Sequence, residues 1–492
     1  MKNIRNISKL SENQATLAFL LSSAYRELFS PSFLIIEHSF ADGLFCHSNS
    51  WDPISEQDVS ALSLKIREYL NNSQAIELTS LPLAEILSFF TKTGFQNKSK
   101  NLKKWQVDPV PVIKFGDKLD YRIQPMATDK NALQEFEIRK YNNGLLLRFP
   151  TIANPINIPK FKDCPNLFSI IEEFEQWGNI LGIESIPNLN DHINKNGIKE
   201  LVWISEGLHE KKISHIADRL AIGFPKKRVV IIAGPSSSGK TTFAKRLNIQ
   251  LKVNGFKTHQ ISMDDYFLSR EEIPVDENGF QDFEAFSVLD KKLLSERINL
   301  LLGGDRIPVR KFNYDVGGGS DTDKFIEIGE NDFVILEGIH GLNPKLTSLI
   351  ADGQVQRIYV SAITQLIIDS DHRVSTSDNR LLRRMVRDIQ FRGYSPEETL
   401  ERWNSVRIGE EQNIFPFQEK ADFLFNSALA YELPVLSSYA LPLLKSVSSD
   451  FSLFKDVERL KTLLEFFEPL NGEIVPGISI LREFIGSSEF NY

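Results

Sequence analysis

Apolar positions change period several times along the 492-residue chain, and each change predicts an element. Over residues 15–29, Leu17, Leu20, Leu21, Ala24 and Leu28 fall on one helical stripe. Residues 33–36 read as a strand, and residues 56–70 as a helix, because Val59, Leu62, Ile66 and Leu70 recur at helical spacing. Pro150, Pro155, Pro159 and Pro165 break the pattern and mark a linker. Residues 166–225 are mainly helical in period, with two short amphipathic helices predicted over 198–220. Short apolar, β-branched runs then alternate with helical stretches. The predicted strands are 229–233, 258–263, 333–337, 357–360 and 423–426. Buried runs separated by helices predict a parallel sheet covered on both faces. Residues after 428 read mainly as helix packed back on that core.

Composition adds limits. Net charge is −8, from 57 basic and 65 acidic residues, which argues against a broad nucleic-acid-coating surface. Two cysteines, Cys46 and Cys164, cannot build a disulfide framework or a cysteine zinc site by themselves, so a reducing cytoplasm is the expected compartment. No apolar run approaches the ~20 residues needed to cross a bilayer. The stretch 16–21 is too short for a secretory core.

Directly after the apolar run at 229–233 the chain reads Gly234-Pro235-Ser236-Ser237-Ser238-Gly239-Lys240-Thr241-Thr242. This is the phosphate-loop pattern in its expected context, a strand before and a helix after. The glycines let consecutive N–H groups turn inward around a phosphate, and the following helix adds its positive end. Lys240 supplies a charge for the terminal phosphates, and the Thr241 hydroxyl suits Mg²⁺. These nine residues form the candidate nucleotide site.

Three further signals follow. Ser262-Met263-Asp264-Asp265-Tyr266-Phe267 ends the next predicted strand. A carboxylate there, Asp264, can accept a proton from an attacking hydroxyl or hold a metal through water; an ordinary acidic turn reads the same way. The run Val334-Ile335-Leu336-Glu337 is an apolar strand ending in an acid that can position Mg²⁺. Arg380, Arg383, Arg384 and Arg387 recur at helical spacing with few acids four residues away. They predict a lid that closes over phosphates, with Arg392-Gly393 as its hinge; a solvated basic face is the plainer alternative. Gly317 to Ser320 read as a flexible turn near the acceptor, and Phe415-Pro416-Phe417 as a substrate wall or a packed turn. The eight histidines have no metal-ligand spacing, and His38 and His47, flanking a predicted hairpin, read as structural. His340, just past Glu337, is a candidate for the site.

The region 226–430 resembles the uridine kinase/phosphoribulokinase group of P-loop kinases. The resemblance rests on GPSSSGKTT, SMDDYF, IPVRKF at 307–312, VILEGIHGL and RLLRRMVRD followed by Arg392-Gly393, in the family's order. It implies ATP as donor, Mg²⁺ and a hydroxyl acceptor. The catalytic acid falls on Asp264, the metal group on Thr241, Glu337 and Asp264, and the lid on the four arginines, with Lys240 on the phosphates. The acceptor side would be built from Asp264, Tyr266, Arg310, Phe312, Asp315 and His340. Uridine kinases carry a tyrosine and a histidine where this chain has Arg310 and Asp315, so phosphoryl transfer carries over better than the pyrimidine does.

Residues 1–155 more faintly resemble the second amino-terminal domain of threonyl-tRNA synthetase. The cues are IIEHSFADGLFC, ISEQDVSALSLKI and YRIQPMATDKNALQEFEI. The editing positions of that domain fall on Phe19, Ser23, Arg122 and Met126, none of which retains the required chemistry. Hydrolytic editing is therefore not expected, and the shape is left to bind an RNA end or a small effector.

The chain thus reads as an α/β protein: a P-loop sheet flanked by helices, preceded by an α+β synthetase-like part. The boundaries are 1–155, 156–225 for bridging helices, 226–430 for the kinase-like part, and 431–492 for a helical extension. The expected activity is ATP-dependent transfer of a phosphoryl group to a hydroxyl of a nucleoside. Two alternatives stand beside it: a kinase for a sugar, polyol or vitamin precursor, and an RNA-binding regulator switched by ATP. Self-association is left open.

Overall fold

The computed structural model describes residues 2–152, 154–269, 271–273, 284–313, 317–350, 353–364 and 366–491, with the side chains of residues 2–8 outside the description. A five-stranded parallel sheet organises the carboxyl-terminal half. Its order across the sheet is Phe423–Asn426, Val355–Ser361, Val229–Ala233, Asp332–Glu337, Lys257–Ser262. The central strand Val229–Ala233 is buried at every position, which is why it reads as one apolar run without alternation. Register places Glu337 beside Ile232 on one side and Ser262 on the other. Three strands therefore end level, and the segments that follow them emerge at one edge of the sheet.

Helices cover both faces. Phe243, Ala244 and Leu247 of the helix Lys240–Val253 are buried in the same core as Phe425, with the Phe243 and Phe425 rings 4.7 Å apart. The helix Pro396–Asn413 starts by local rules. Pro396 opens it, and Ser395 and Glu398 cap each other's backbone amides. The region 198–220 forms one continuous helix, Ile198–Gly223, instead of the two predicted; buried Leu201, Ser205, His209, Ile213, Ile216 and Leu220 share a face through its length. A hairpin that the periodicity missed, Ile307–Asn313 with Gly318–Ile326, lies beside the sheet. Gly318 to Ser320, expected as part of a turn, pair with Asn313, Phe312 and Lys311 as strand.

The amino-terminal half contains two antiparallel sheets. One has the order Leu34–Phe40, Gly43–Ser48, Gly144–Arg148, Glu137–Tyr141; the other joins Glu77–Leu81, Val110–Phe115 and Lys118–Tyr121. The helix Glu56–Asn71 begins at a capping box between Ser55 and Asp58 and buries Val59, Leu62, Ile66 and Leu70. The helix Lys2–Phe29 buries Leu17, Leu20, Leu21 and Ala24, while Leu28 is left exposed. Each apolar side chain fully buried this way stabilises by ~1.5–3 kcal/mol.

The two halves are joined by polar groups taken out of water. The segment 367–373, just before the helix Thr376–Phe391, meets the amino-terminal half along its length. Ile36 N–H donates to Ser370 O at 2.9 Å, and Asn101 Nδ2 donates to Ile368 O at 2.8 Å. Asp371 is paired with Arg26 and Lys98, and Asp369 accepts from the Tyr121 hydroxyl and lies 2.9 Å from His372 Nδ1. Burial opposes ionisation of Asp371, but Arg26 and Lys98 outweigh it and hold the carboxyl well below the usual range. Among the described residues, no helix is long and apolar enough to cross a membrane.

Candidate active site

The phosphate loop turns out of the central strand at the sheet edge. A Cβ on Gly234 would lie 2.0 Å from Val360 O, so only glycine lets the loop pass the neighbouring strand. Gly239, at φ +81°, caps the helix Lys240–Val253, and a Cβ there would lie 2.5 Å from Ile480. Lys240 Nζ donates back to Pro235 O at 3.1 Å, and Ser238 N–H to the same carbonyl at 3.3 Å. Ser237 is held at φ +58°.

Two carboxylates of the chain sit on loop amides. Ser236 N–H donates to Glu410 Oε1 at 2.9 Å. Thr242 donates to Glu483 Oε2 through both N–H, at 3.1 Å, and Oγ1, at 2.6 Å. The start of this helix therefore already receives an anionic oxygen, as its orphan donors and dipole favour. Thr241 Oγ1 faces Glu337, at 3.3 Å and 3.2 Å from the two carboxylate oxygens.

Electrostatics tie these groups to Asp264, which follows the edge strand in a short turn capped by Ser262. Burial raises the Asp264 carboxyl above its ordinary range, with Lys240 opposing and Asp265 adding. Burial pushes Glu337 up to about 7, against Lys240 and with help from Asp264 and Glu483. Glu284 is pushed up to about 7 by burial and Glu410, with Arg384 and Lys240 opposing. Glu284, Glu410 and Glu483 were not singled out in the sequence. No motif carries them; they reach the loop from a turn, a neighbouring helix and the far end of the chain.

The four arginines of the helix Thr376–Phe391 divide in two. Arg380 is buried, ion-paired with Glu410, and donates to Ser236 O at 3.0 Å. Arg383 is wholly buried; it donates to Glu432 Oε2 through Nε at 3.0 Å, to Ser427 O at 2.9 Å, and to Ser237 O at 3.4 Å. Both are neutralised supports of the loop backbone, which corrects the expectation of four cations offered to the phosphates. Their acids come from distant elements, so spacing along the helix could not reveal them. Arg384 donates to Ser236 Oγ at 2.9 Å and shares Asp388 with Arg387. Burial and Arg392 bring Arg387 down to about 10.

The predicted acceptor residues do not all converge. Tyr266 is buried in the apolar core with Leu294, Ile298 and Ile307, which corrects its assignment to the substrate. His340 is buried against the Phe286 ring, and burial brings its imidazole down to about 4, so it is a neutral core group. Arg310 donates to Asp265 O at 3.1 Å and approaches Asp321 at 3.4 Å. Asp265 also receives Lys311 Nζ and Phe312 N–H, both at 3.0 Å, and thereby ties the hairpin to the turn carrying Asp264. Phe312 lies partly exposed at the end of that hairpin strand. Asp315 lies outside the described residues. The turn at Phe415 packs against Ile414 and Ala421, and Pro416 O accepts from Lys162, so it is a packed turn.

Residues 229–432 match the model of the Phosphoribulokinase / Uridine kinase family. A uridine kinase of Anoxybacillus flavithermus is 31% identical over 204 residues, covering 40% of this chain and 86% of that protein. A uridine kinase of Bacillus cereus is 31% identical over 208 residues, with 41% and 87% covered. A solved structure described as a possible uridine kinase from Bacillus stearothermophilus is 17% identical, covers 44% of this chain and 98% of that one, and has a TM-score of 0.31. A phosphate loop level with two strand-end carboxylates, together with the family match and the two uridine kinases of 31% identity, makes the chain a phosphotransferase with a hydroxyl acceptor. It belongs to the phosphoribulokinase/uridine kinase family.

Proposed function

We propose that the chain transfers the terminal phosphoryl group of ATP to a hydroxyl of a nucleoside, with Mg²⁺ at Thr241 and Glu337. The observation that carries the reading is the meeting of Thr241, Glu337, Lys240 and Asp264 at one sheet edge. The residues suit the groups. Amides at the start of the helix donate to an anionic oxygen, here that of Glu483. The Thr241 hydroxyl and the Glu337 carboxylate make a hard-oxygen donor pair for Mg²⁺. The cation would neutralise charge on the transferring group.

The chain's own residues do the rest. The loop from Gly234 to Thr242 binds the phosphates through its amides, and Lys240 contributes its charge there. Asp264, with its carboxyl raised by burial, accepts the proton of the attacking hydroxyl; a base poised nearer neutrality does so better than an ordinary aspartate. Arg384 and Arg387 meet the charge that develops in transfer, while Arg380 and Arg383 keep the loop in shape. Arg310 supports the hairpin through Asp265 and Asp321. The nucleoside is favoured by the names of the relatives. Labelled ATP offered with uridine, cytidine, sugars and polyols tests it. Label is expected in a nucleoside 5′-phosphate; label only in a sugar or polyol would replace the acceptor.

The amino-terminal half, in this reading, keeps a synthetase-like shape without its hydrolytic chemistry. Phe19, Arg122 and Met126 line a cavity of about 120 Å³ together with Asp371, His372 and Arg373 from the kinase side. That shared lining supports an internal, supporting use of the pocket over the binding of an RNA end.

A further inference from the structure

Among the described residues away from the phosphate loop lies a cluster of buried ionisable groups that the phosphoryl-transfer site does not use. It lies where the strands Leu34–Phe40 and Gly43–Ser48 meet the helix Pro165–Leu181. In a regular strand Glu37 and His38 would point to opposite faces. The pairing register of these strands shifts between Ile36 and Ser39, and such an irregularity lets consecutive side chains turn to one side. Glu37, His38 and, from the helix, Glu175 each bring one ligand-type atom to within 4.8 Å of the other two. His38 Nε2 is 3.4 Å from Glu175 Oε1 and 3.9 Å from Glu37 Oε2. Ligands at ~2.1 Å around a tetrahedral ion lie ~3.4 Å from one another, so these separations suit a shared cation.

The same atoms lack hydrogen-bond partners. Glu37 Oε2, His38 Nε2 and Glu175 Oε1 are all buried without one, and the His38 side chain is only 4% exposed. Two carboxylates and an imidazole left in this state are costly to bury. The outer contacts also have the form of a metal site. His47 Nδ1 lies 2.7 Å from Ser48 O, its ring stacks on Trp51 at 3.6 Å, and its Nε2 lies 3.1 Å from Glu37 Oε1, the oxygen turned away from the cluster. Beside the cluster is a cavity of about 290 Å³, lined by Glu37, Glu175, Glu184 and Glu432 but by no lysine or arginine among the described residues. Glu432 is already paired with Arg383.

We propose that Glu37, His38 and Glu175 bind a divalent transition-metal cation of the zinc type, with its open coordination position facing this cavity. One imidazole and two carboxylates suit such an ion better than Mg²⁺, which favours an all-oxygen, largely hydrated shell. The ion would fasten the amino-terminal sheet to the bridging helix, and His47 acts as a positioning residue through Glu37.

The test uses the full chain with Zn²⁺ alone, without nucleotide. After chelation and reloading, one equivalent of zinc is expected to survive gel filtration, and X-ray absorption should show one histidine nitrogen with oxygens. Glu175→Gln should lose stoichiometric binding while melting close to the metal-free parent, since the amide keeps the shape of the side chain. His47→Ala should weaken zinc by about tenfold. No bound zinc, a shell containing sulfur or several histidines, or equal uptake by Glu175→Gln would overturn the proposal. The absorption spectrum needs no variant, so the test stands even if Glu175→Gln fails to fold.

Discussion

Glu483, nine residues before Tyr492, accepts two hydrogen bonds from Thr242 at the start of the phosphate-loop helix, at 3.1 Å and 2.6 Å. An amide at that place is one a nucleotide phosphate would take, so the tail and the ligand compete for it. Glu483→Gln should therefore tighten ATP or ADP by about tenfold, the scale of one charge-assisted hydrogen bond. Calorimetric titration measures it; unchanged or weaker binding would give Glu483 a supporting part instead.

Lys240→Ala and Asp264→Asn should each lower kcat by about 10²–10⁴ while leaving the melting temperature near that of the parent. The two should differ in binding. Lys240→Ala loses nucleotide affinity, whereas Asp264→Asn keeps it. Near-normal turnover by Asp264→Asn would remove that residue from proton transfer.

The arginine helix should separate into two phenotypes. Arg383→Ala leaves the buried Glu432 carboxylate without its cation and should cost about 3–5 kcal/mol of stability. Arg384→Ala, which removes contacts to Ser236 Oγ and Asp388, should spare stability and lower turnover. Denaturation curves and steady-state rates on the same two variants check the division.

Glu337, at about 7, makes metal binding depend on pH in a definite direction. The protonated carboxyl cannot serve the cation, so magnesium-dependent nucleotide affinity should rise as pH increases from 6 to 8. Without cation the sign reverses for stability. The folded chain holds this proton above the ordinary carboxylate range, so Glu337's contribution is full below about 4.5 and is lost as pH rises through about 7. Titration at pH 6 and 8 with Glu337→Gln as control measures the effect; equal affinities would exclude Glu337 from the metal.

What was legible in the sequence was local. The run Val229–Ala233 and the loop after it declare themselves because a fully buried strand has no polar position and a phosphate turn needs glycine. Asp264 and Glu337 were reachable because strand ends in a parallel sheet share an edge. The partners of Arg380 and Arg383 were not, since Glu410 and Glu432 lie 30 and 49 residues away and no spacing rule joins them. The hairpin Ile307–Asn313 with Gly318–Ile326 escaped because its strands are half exposed and the second opens on two glycines, with little alternation to read. Tyr266 and His340 were drawn toward the substrate by their nearness in sequence to Asp264 and Glu337; each turns into the core instead.

The segment 367–373 carries Asp369 and Asp371 into a nest of cations and hydroxyls supplied mainly by the other half. Cutting the chain near residue 225 would leave both acids facing an emptied interior, immediately ahead of the helix that bears the arginines. The two relatives match across 86% and 87% of their own length but only 40% and 41% of this chain, so Arg26, Lys98 and Tyr121, which hold these acids, come from outside the shared region.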